Sequence, residues 1–178
     1  MLTLIIGGAS SGKSAVAEDI AMSVRGKCAY VATMQPFGEQ GKARAARHLK
    51  LREGKGMTTI EQYTDIGKLK NQAAAFDVLL IECMTNLTAN EQFAPERQSN
   101  ESIADKIFSD IEKLMAICGN IVIVSCDLFA DGIEYPKETK EYMENLGRLN
   151  RLITEKADTV IEVFYGIPRY IKGGKRDA

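Results

Sequence analysis

The most constraining feature of this sequence is an apolar run that leads directly into a glycine-rich segment. Residues 2–6 read Leu-Thr-Leu-Ile-Ile, and the segment that follows reads Gly-Gly-Ala-Ser-Ser-Gly-Lys-Ser. A strand, a loop of the form G-x-x-x-x-G-K-S and a helix make up the Walker A motif, in which backbone N–H groups surround a polyphosphate. Lys13 then contacts the β- and γ-phosphates, and Ser14 binds Mg²⁺. A glycine-rich turn could match the motif by chance, but the flanking elements favour a nucleoside triphosphate site built from Gly7, Gly8, Ala9, Ser10, Ser11, Gly12, Lys13 and Ser14.

Strand-like and helical patterns alternate along the rest of the chain. Nearly continuous apolar runs indicate strands that are covered on both faces, and apolar residues at helical spacing follow most of them. This order predicts an α/β fold of the P-loop NTPase type, with a mostly parallel sheet and helices on both faces in three layers. We expect one nucleotide-binding domain over residues 1–178, with a loop or short helix over Asn86–Asn100. The predicted strands are Leu2–Ile6, Cys28–Thr33, Thr58–Gln62, Val78–Cys83, Ile121–Ser125 and Thr159–Phe164.

Composition argues against several classes of partner. The 178 residues carry a net charge of −1, which gives no reason to expect binding to nucleic acid. No apolar run reaches the length of a membrane span. The four cysteines lack C-x-x-C spacing and fall in or beside apolar runs, so we expect reduced core thiols in a cytoplasmic protein.

A second phosphate-related element is the run Phe-Asp-Val-Leu-Leu-Ile-Glu-Cys at residues 76–83. An acid at the carboxyl end of a buried strand is the Walker B arrangement, which holds Mg²⁺ directly or through water. Glu82 is the predicted metal-site carboxylate, whereas Asp77 lies at the opposite end of the strand. An apolar run that ends in an acid is common, so on this pattern alone Glu82 could be an ordinary charged residue at a strand end. The glycine-rich loop favours the metal role.

The only histidine of the chain is His48, which lies in a basic segment. If the segment is helical, Arg44, His48 and Arg52 share one face at intervals of four residues. The flanking cations disfavour a charged imidazole, and a neutral imidazole facing an α-phosphate could form a covalent phosphoramidate. The alternative is an exposed histidine on a solvated basic helix. The spacing leaves both interpretations open.

Together these segments resemble the bifunctional adenosylcobinamide kinase / adenosylcobinamide-phosphate guanylyltransferase family of cobalamin biosynthesis, over nearly the whole chain. The similarity includes the Walker A loop, Tyr-Val-Ala-Thr at 30–33, the basic histidine segment, Thr-Ile-Glu at 59–61 and Leu-Leu-Ile-Glu-Cys-Met-Thr at 79–85 with Asn90. It continues through Gly132-Ile133 with Pro136 nearby, Gly147–Asn150, Ala157-Asp158 and Gly166-Ile167.

The resemblance implies two reactions and a set of site residues. Family enzymes phosphorylate adenosylcobinamide with ATP or GTP, and then transfer GMP from GTP through a guanylylated histidine, which corresponds to His48. The resemblance also implies Mg²⁺, a corrinoid substrate and a homo-oligomer, in the family a trimer. Lys13 and Ser14 are implied on phosphates and metal, Glu61 on the nucleotide, and Glu82 near both metal and guanine nucleotide. We expect further nucleotide contacts from Ala32, Thr33, Met34 and Arg52.

The chain also departs from the family pattern. Ser10 replaces a usual arginine, Glu53 a usual proline, and Met34 a small polar residue. Further differences fall at residues 126–129 and at Met143. They cluster where cobinamide and the acceptor phosphate would lie, so two alternatives remain: a P-loop small-molecule kinase without nucleotidyl transfer, and a non-catalytic nucleotide-sensing protein. Asp127 is a candidate base for the substrate hydroxyl, and a solvated loop acid is its alternative interpretation.

Overall fold

A single seven-stranded sheet organises the protein. The computed structural model describes residues 1–36, 38, 39, 41, 43, 46, 50, 54–94, 102–127 and 133–174. In the sheet, the strands follow the order β3-β2-β4-β5-β1-β6-β7. All neighbouring strands are parallel except β6 and β7, which are antiparallel. The strands are β1 (Leu2–Gly7), β2 (Cys28–Ala32), β3 (Met57–Glu61), β4 (Val78–Glu82), β5 (Asn120–Cys126), β6 (Thr159–Phe164) and β7 (Ile167–Lys172).

Helices cover both faces of this sheet. Because side chains alternate along a strand, Ile5 packs in the core beneath α1, whereas Leu4 packs in the core on the opposite face. Ala17 and Ala21 of α1 line the first core, and α3, α4 and α5 contribute to the second. The predicted α/β fold class is therefore confirmed. The described helices are α1 (Lys13–Ser23), α2 (Lys70–Ala73), α3 (Met84–Gln92), α4 (Ile103–Met115) and α5 (Lys137–Lys156), with a 3-10 helix at Ile66–Leu69.

The six predicted strands are all present, and none differs by more than one residue at either end. Burial explains this agreement, since Val78, Leu79, Leu80 and Ile81 of β4 are at most 1% exposed and form an uninterrupted apolar run. The segment predicted as a loop or short helix over Asn86–Asn100 contains most of α3, which begins at Met84. Residues 95–100 lie outside the described part of the chain.

The sequence analysis missed β7. This edge strand is exposed along its whole length, with Ile167, Tyr170 and Ile171 all more than half exposed. Its residues therefore lack the burial pattern that identifies the other strands. At the carboxyl terminus, residues 175–178 lie outside the described range.

Two smaller predictions concern the cysteines and membrane spans. All four cysteines are free thiols, as predicted, and Cys28 and Cys118 are buried. Within the residues that the structure describes, no helix has both the length and the apolar character needed to cross a membrane.

Candidate nucleotide-binding site

The glycine-rich loop joins the carboxyl end of β1 to the start of α1. Gly12 precedes the helix with a positive φ of 90°, a conformation that glycine adopts without a steric penalty. Among the described residues, no side chain caps the first turn of the 11-residue helix α1 by a hydrogen bond. Its leading N–H groups and the positive end of the helix dipole are thus directed at the loop, as an anion site requires.

The loop packs closely against the end of β6 and the β6–β7 turn. The N–H of Gly166 donates to the carbonyl of Ser11 at 2.7 Å. A Cβ atom at Gly7 would lie 2.5 Å from the carbonyl oxygen of Val163, whereas one at Gly8 would meet no atom of the described residues within 4 Å. Gly7 is therefore required by packing within the protein itself. Gly8 instead leaves open space on the loop, where a phosphate could approach.

Lys13 is held against its own loop. Its side chain is largely buried, at 8% exposure, and its Nζ donates to the carbonyl of Gly8 at 2.8 Å. The ammonium group is consequently fixed beside the open loop surface rather than extended into solvent. An anion bound there would meet both this charge and the amides at the start of α1. The predicted loop residues Ala9 and Ser10 lie on the same turn, with Ser10 at a φ of 57°.

The predicted metal-site residues meet across 68 positions of sequence. The Ser14 hydroxyl donates to Oε1 of Glu82, and the Tyr30 hydroxyl donates to Oε2 of the same carboxylate at 3.1 Å. β5 lies between β1 and β4, so the first turn of α1 spans that strand to make the contact. A hydroxyl and a carboxylate are hard oxygen ligands of the kind that Mg²⁺ prefers, and this donor pair fits that ion.

Glu61 and Glu82 lie in one row across the sheet. Ala32 is in register with Glu61 on one side and with Glu82 on the other. Because residues in register point to the same face, both carboxylates lie on the α1 side, with roughly 10 Å between their strands. The Tyr63 hydroxyl donates to Glu61 at 2.7 Å, and this hydrogen bond raises the pKa of Tyr63 to about 12. Two carboxylates thus flank Ala32, and Glu82, the one nearer to the glycine-rich loop, contacts Ser14.

The ends of β2 and β4 are tied together by Thr33. Its N–H donates to the carbonyl of Glu82 at 3.0 Å, and its hydroxyl donates to the carbonyl of Cys83 at 2.9 Å. The side-chain amide of Asn90 then donates to the carbonyls of both Thr33 and Tyr63, at 2.8 and 2.9 Å. This bridge fixes the segments that carry Thr33 and Glu61, and Met34 follows directly on the first of them.

A second acidic cluster lies outside this row. Asp65, Glu91 and Asp110 form a group of carboxylates close enough together to hold a metal. However, the ammonium group of Lys106 contacts all three, at 2.6 Å from Asp65 and 3.4 Å from Asp110. Lys68 also contacts Asp65 and Lys113 also contacts Asp110, so three lysines balance the three carboxylates. The cluster is therefore an ion-pair network, and it anchors the segment after β3 to α3 and α4.

The basic histidine segment, Asp127 and Met143 are the remaining residues that the sequence singled out. Arg44, His48 and Arg52 lie outside the described residues, so their approach to the glycine-rich loop stays a prediction. Asp127 follows β5, and its N–H donates to the carbonyl of Gly7 at 3.4 Å, which puts its backbone beside the loop. Its role as a base stays a prediction as well. Met143 lies on α5, half-buried.

Sequence reasoning missed Tyr30 and Tyr63 as site residues. The Tyr30 contact depends on the pairing of β2 with β4, whereas the Tyr63 hydroxyl contacts Glu61 only two residues earlier in the chain, where no motif marks it. Alternation along β2 carried part of the signal, because Tyr30 lies two residues before Ala32 and so shares its face.

A family model and three known proteins match this chain over nearly its whole length. The model of the family described as cobinamide kinase / cobinamide phosphate guanyltransferase matches residues 3–171. A Pseudomonas aeruginosa protein, bifunctional adenosylcobalamin biosynthesis protein CobP, is 29% identical over 97% of this chain and 98% of its own length. Proteins named bifunctional adenosylcobalamin biosynthesis protein CobU from Salmonella typhimurium and Escherichia coli are 28% and 26% identical, each over 97% of this chain and 100% of their own length.

Proposed function

The chain belongs to the cobinamide kinase / cobinamide phosphate guanyltransferase family, and from this membership we propose that it catalyses both reactions. In the first, ATP or GTP phosphorylates the aminopropanol hydroxyl of adenosylcobinamide. In the second, GMP from GTP is transferred through His48 to the new phosphate, giving adenosylcobinamide-GDP. The observation that carries this proposal is the contact between Ser14 of the glycine-rich loop and Glu82 at the end of β4.

In the phosphorylation step, the protein acts mainly by positioning and by neutralising charge. The hydroxyl oxygen of the substrate bonds to the γ-phosphorus, the bond to the β,γ-bridging oxygen breaks, and the nucleoside diphosphate leaves. The hydroxyl proton passes to solvent or to a base, for which Asp127 is the candidate. Lys13 and the amides at the start of α1 stabilise the negative charge that develops. Ser14 and Glu82 would hold Mg²⁺, which neutralises charge on the β- and γ-phosphates when it is bound.

In the transfer step, His48 divides one displacement into two. An imidazole nitrogen bonds to the α-phosphorus of GTP, and pyrophosphate leaves. A phosphate oxygen of the corrinoid then bonds to the same phosphorus, and the phosphorus–nitrogen bond breaks. Two in-line displacements retain the configuration at phosphorus. Ala32, Thr33, Met34, Arg52 and Glu61 would surround the nucleotide in this proposal.

The chain offers a sharp test because it contains only one histidine. After incubation with α-labelled GTP and MgCl₂, we expect label that is stable to base and labile to acid. Mass spectrometry should map the added GMP to His48, and His48→Ala should abolish the label. Wild-type protein that binds nucleotide but takes up no label would refute the transfer step.

Two variants separate the two reactions. His48→Ala should still convert ATP to ADP when adenosylcobinamide is present, because the kinase step does not use the imidazole. Lys13→Ala should lose both reactions, by about 100- to 1,000-fold, as expected on removing one preorganised donor from a developing negative charge. Corrinoid-dependent turnover without any label would favour a kinase alone, and no response to the corrinoid would favour a nucleotide sensor.

The homotrimer implied by the resemblance is part of the same proposal. β7 offers an exposed edge with apolar side chains at which copies of the chain could meet. Light scattering coupled to size-exclusion chromatography measures the oligomeric mass directly, and a monomeric mass would contradict it.

A further inference from the structure

Tyr30 lies in the middle of β2 and is almost completely buried, at 4% exposure. It is in register with Leu80, two residues before Glu82 on the neighbouring strand. Both Tyr30 and Leu80 pack in the core beneath α1, so the tyrosine ring lies on the same face as the Glu82 carboxylate. The long side chain therefore reaches along β4 and brings its hydroxyl to Oε2 of Glu82.

The two oxygens of this carboxylate are held by different elements. Oε1 accepts from Ser14 on the first turn of α1, and Oε2 accepts from Tyr30 on β2. The Ser14 hydroxyl donates through its hydrogen and keeps its lone pairs, so it could bind a metal ion without giving up this contact. The Tyr30 ring is fixed by packing within the sheet, and its contact can persist.

We propose that Tyr30 is a positioning residue that holds the Glu82 carboxylate in the orientation needed to receive Mg²⁺ together with a nucleotide. The inference rests on the proposed function in one respect, namely that the glycine-rich loop binds a Mg²⁺–nucleotide complex. It does not depend on either chemical step. Carboxylates that bind metals are commonly oriented by such hydrogen bonds, and losing one costs about 10- to 100-fold in metal affinity.

A purely structural role makes a different prediction. A buried tyrosine hydroxyl needs a hydrogen-bond partner, and Glu82 could serve only to provide one. In that case, removing the hydroxyl would alter the stability of the fold and leave the dependence of nucleotide binding on Mg²⁺ unchanged.

The experiment compares wild-type protein with Tyr30→Phe, which keeps the ring and removes only the hydroxyl. Calorimetry measures the binding of α,β-methylene GTP, which cannot donate GMP, first in EDTA and then over a series of MgCl₂ concentrations. Tyr142→Phe is the matched control, because that partly buried hydroxyl donates to the carbonyl of Thr85 at 3.2 Å and does not contact the carboxylate.

We expect Tyr30→Phe to need about tenfold more Mg²⁺ for half-maximal enhancement of nucleotide binding, with unchanged affinity in EDTA. Tyr142→Phe should match the wild type. Glu82→Gln should show a loss at least as large as that of Tyr30→Phe, and combining the two substitutions should add little, because Tyr30 acts through Glu82.

Each other result overturns the inference. An unchanged Mg²⁺ requirement in Tyr30→Phe, or a loss of affinity already present in EDTA, would assign the residue to packing alone. Additive losses in the double variant would show that the hydroxyl acts independently of Glu82. A wild type that gains no nucleotide affinity from Mg²⁺ would remove the inference and the proposed function together, whereas absence of label on His48 would leave the Tyr30 result standing.

Discussion

Gly7 provides the most direct test of the loop geometry. In Gly7→Ala, the new Cβ would lie 2.5 Å from the carbonyl oxygen of Val163 and 2.8 Å from Oγ of Ser11. Cβ atoms essentially never come this close to another heavy atom, so the loop or the end of β6 must shift. Gly8→Ala is the matched control, because its Cβ would meet no atom within 4 Å in the part of the chain that the structure describes, and its backbone is not in the left-handed region.

The two variants share every effect except the clash. Each gains about 0.4–1 kcal/mol from the reduced entropy of the unfolded chain, and this gain cancels in the comparison. Overpacking at a filled position costs about 1–3 kcal/mol, and 1 kcal/mol shifts Tm by about 2–4 °C in a chain of this length. Gly7→Ala should therefore unfold roughly 2–12 °C below Gly8→Ala.

Thermal unfolding followed by circular dichroism, without nucleotide, measures this difference. Gly8→Ala should unfold at or slightly above the wild-type temperature. If the two alanine variants unfolded at the same temperature, the close packing of Gly7 against the carbonyl of Val163 would be refuted. Urea titration gives the same comparison as a free energy of unfolding.

Three further predictions concern an ion pair, a hydrogen-bonded amide and a buried thiol. Hydrogen bonds from Lys106, and then from Lys68, hold the pKa of Asp65 below its ordinary 3.8. These ion pairs therefore stabilise the fold above pH 3.8, and the stabilisation is lost as the pH falls through the lowered pKa. In urea titrations, the difference in free energy of unfolding between wild type and Lys106→Met should shrink as the pH is lowered through that pKa. Asn90→Asp replaces the amide group that donates to two carbonyls with a carboxylate that can only accept. Calorimetry should show weaker GTP binding in Asn90→Asp than in Asn145→Asp, and equal affinities would contradict a role of the Asn90 bridge in holding the site. Burial raises the pKa of the Cys28 thiol to about 11, so iodoacetamide at pH 8 should modify this thiol only after the protein unfolds. Peptide mapping that finds rapid modification of Cys28 in the folded protein would refute its burial.

The strand framework was predictable because parallel strands covered on both faces have a continuous apolar sequence. β4 shows this clearly: its four apolar residues predicted the strand, and Glu82 followed as the site acid. Asp77 was also predicted correctly to lie away from the site. Its carboxylate accepts from the N–H of Lys27 at 2.8 Å, at the opposite end of the sheet.

The missed features share a different physical origin. β7 has no buried face, so its residues gave no periodic signal. The apolar stripe of α5 begins at Tyr142, but the helix begins five residues earlier at Lys137, where its first turn is exposed and polar. The contact between Tyr30 and Glu82 depends on which strands are neighbours and on their register. No local pattern encodes that information.

The contact between the turn at Gly166 and the glycine-rich loop limits when that loop can reach its final packing during synthesis. β1 is flanked by β5 and β6, and the Ser11 carbonyl is bound by a residue 155 positions further along the chain. During synthesis, the glycine-rich loop is made before the residues that pack against it, because Val163 and Gly166 follow it by more than 150 positions. A nascent chain that stops before Val163 would contain the complete glycine-rich motif but lack the residues of β6 and the β6–β7 turn that pack against it.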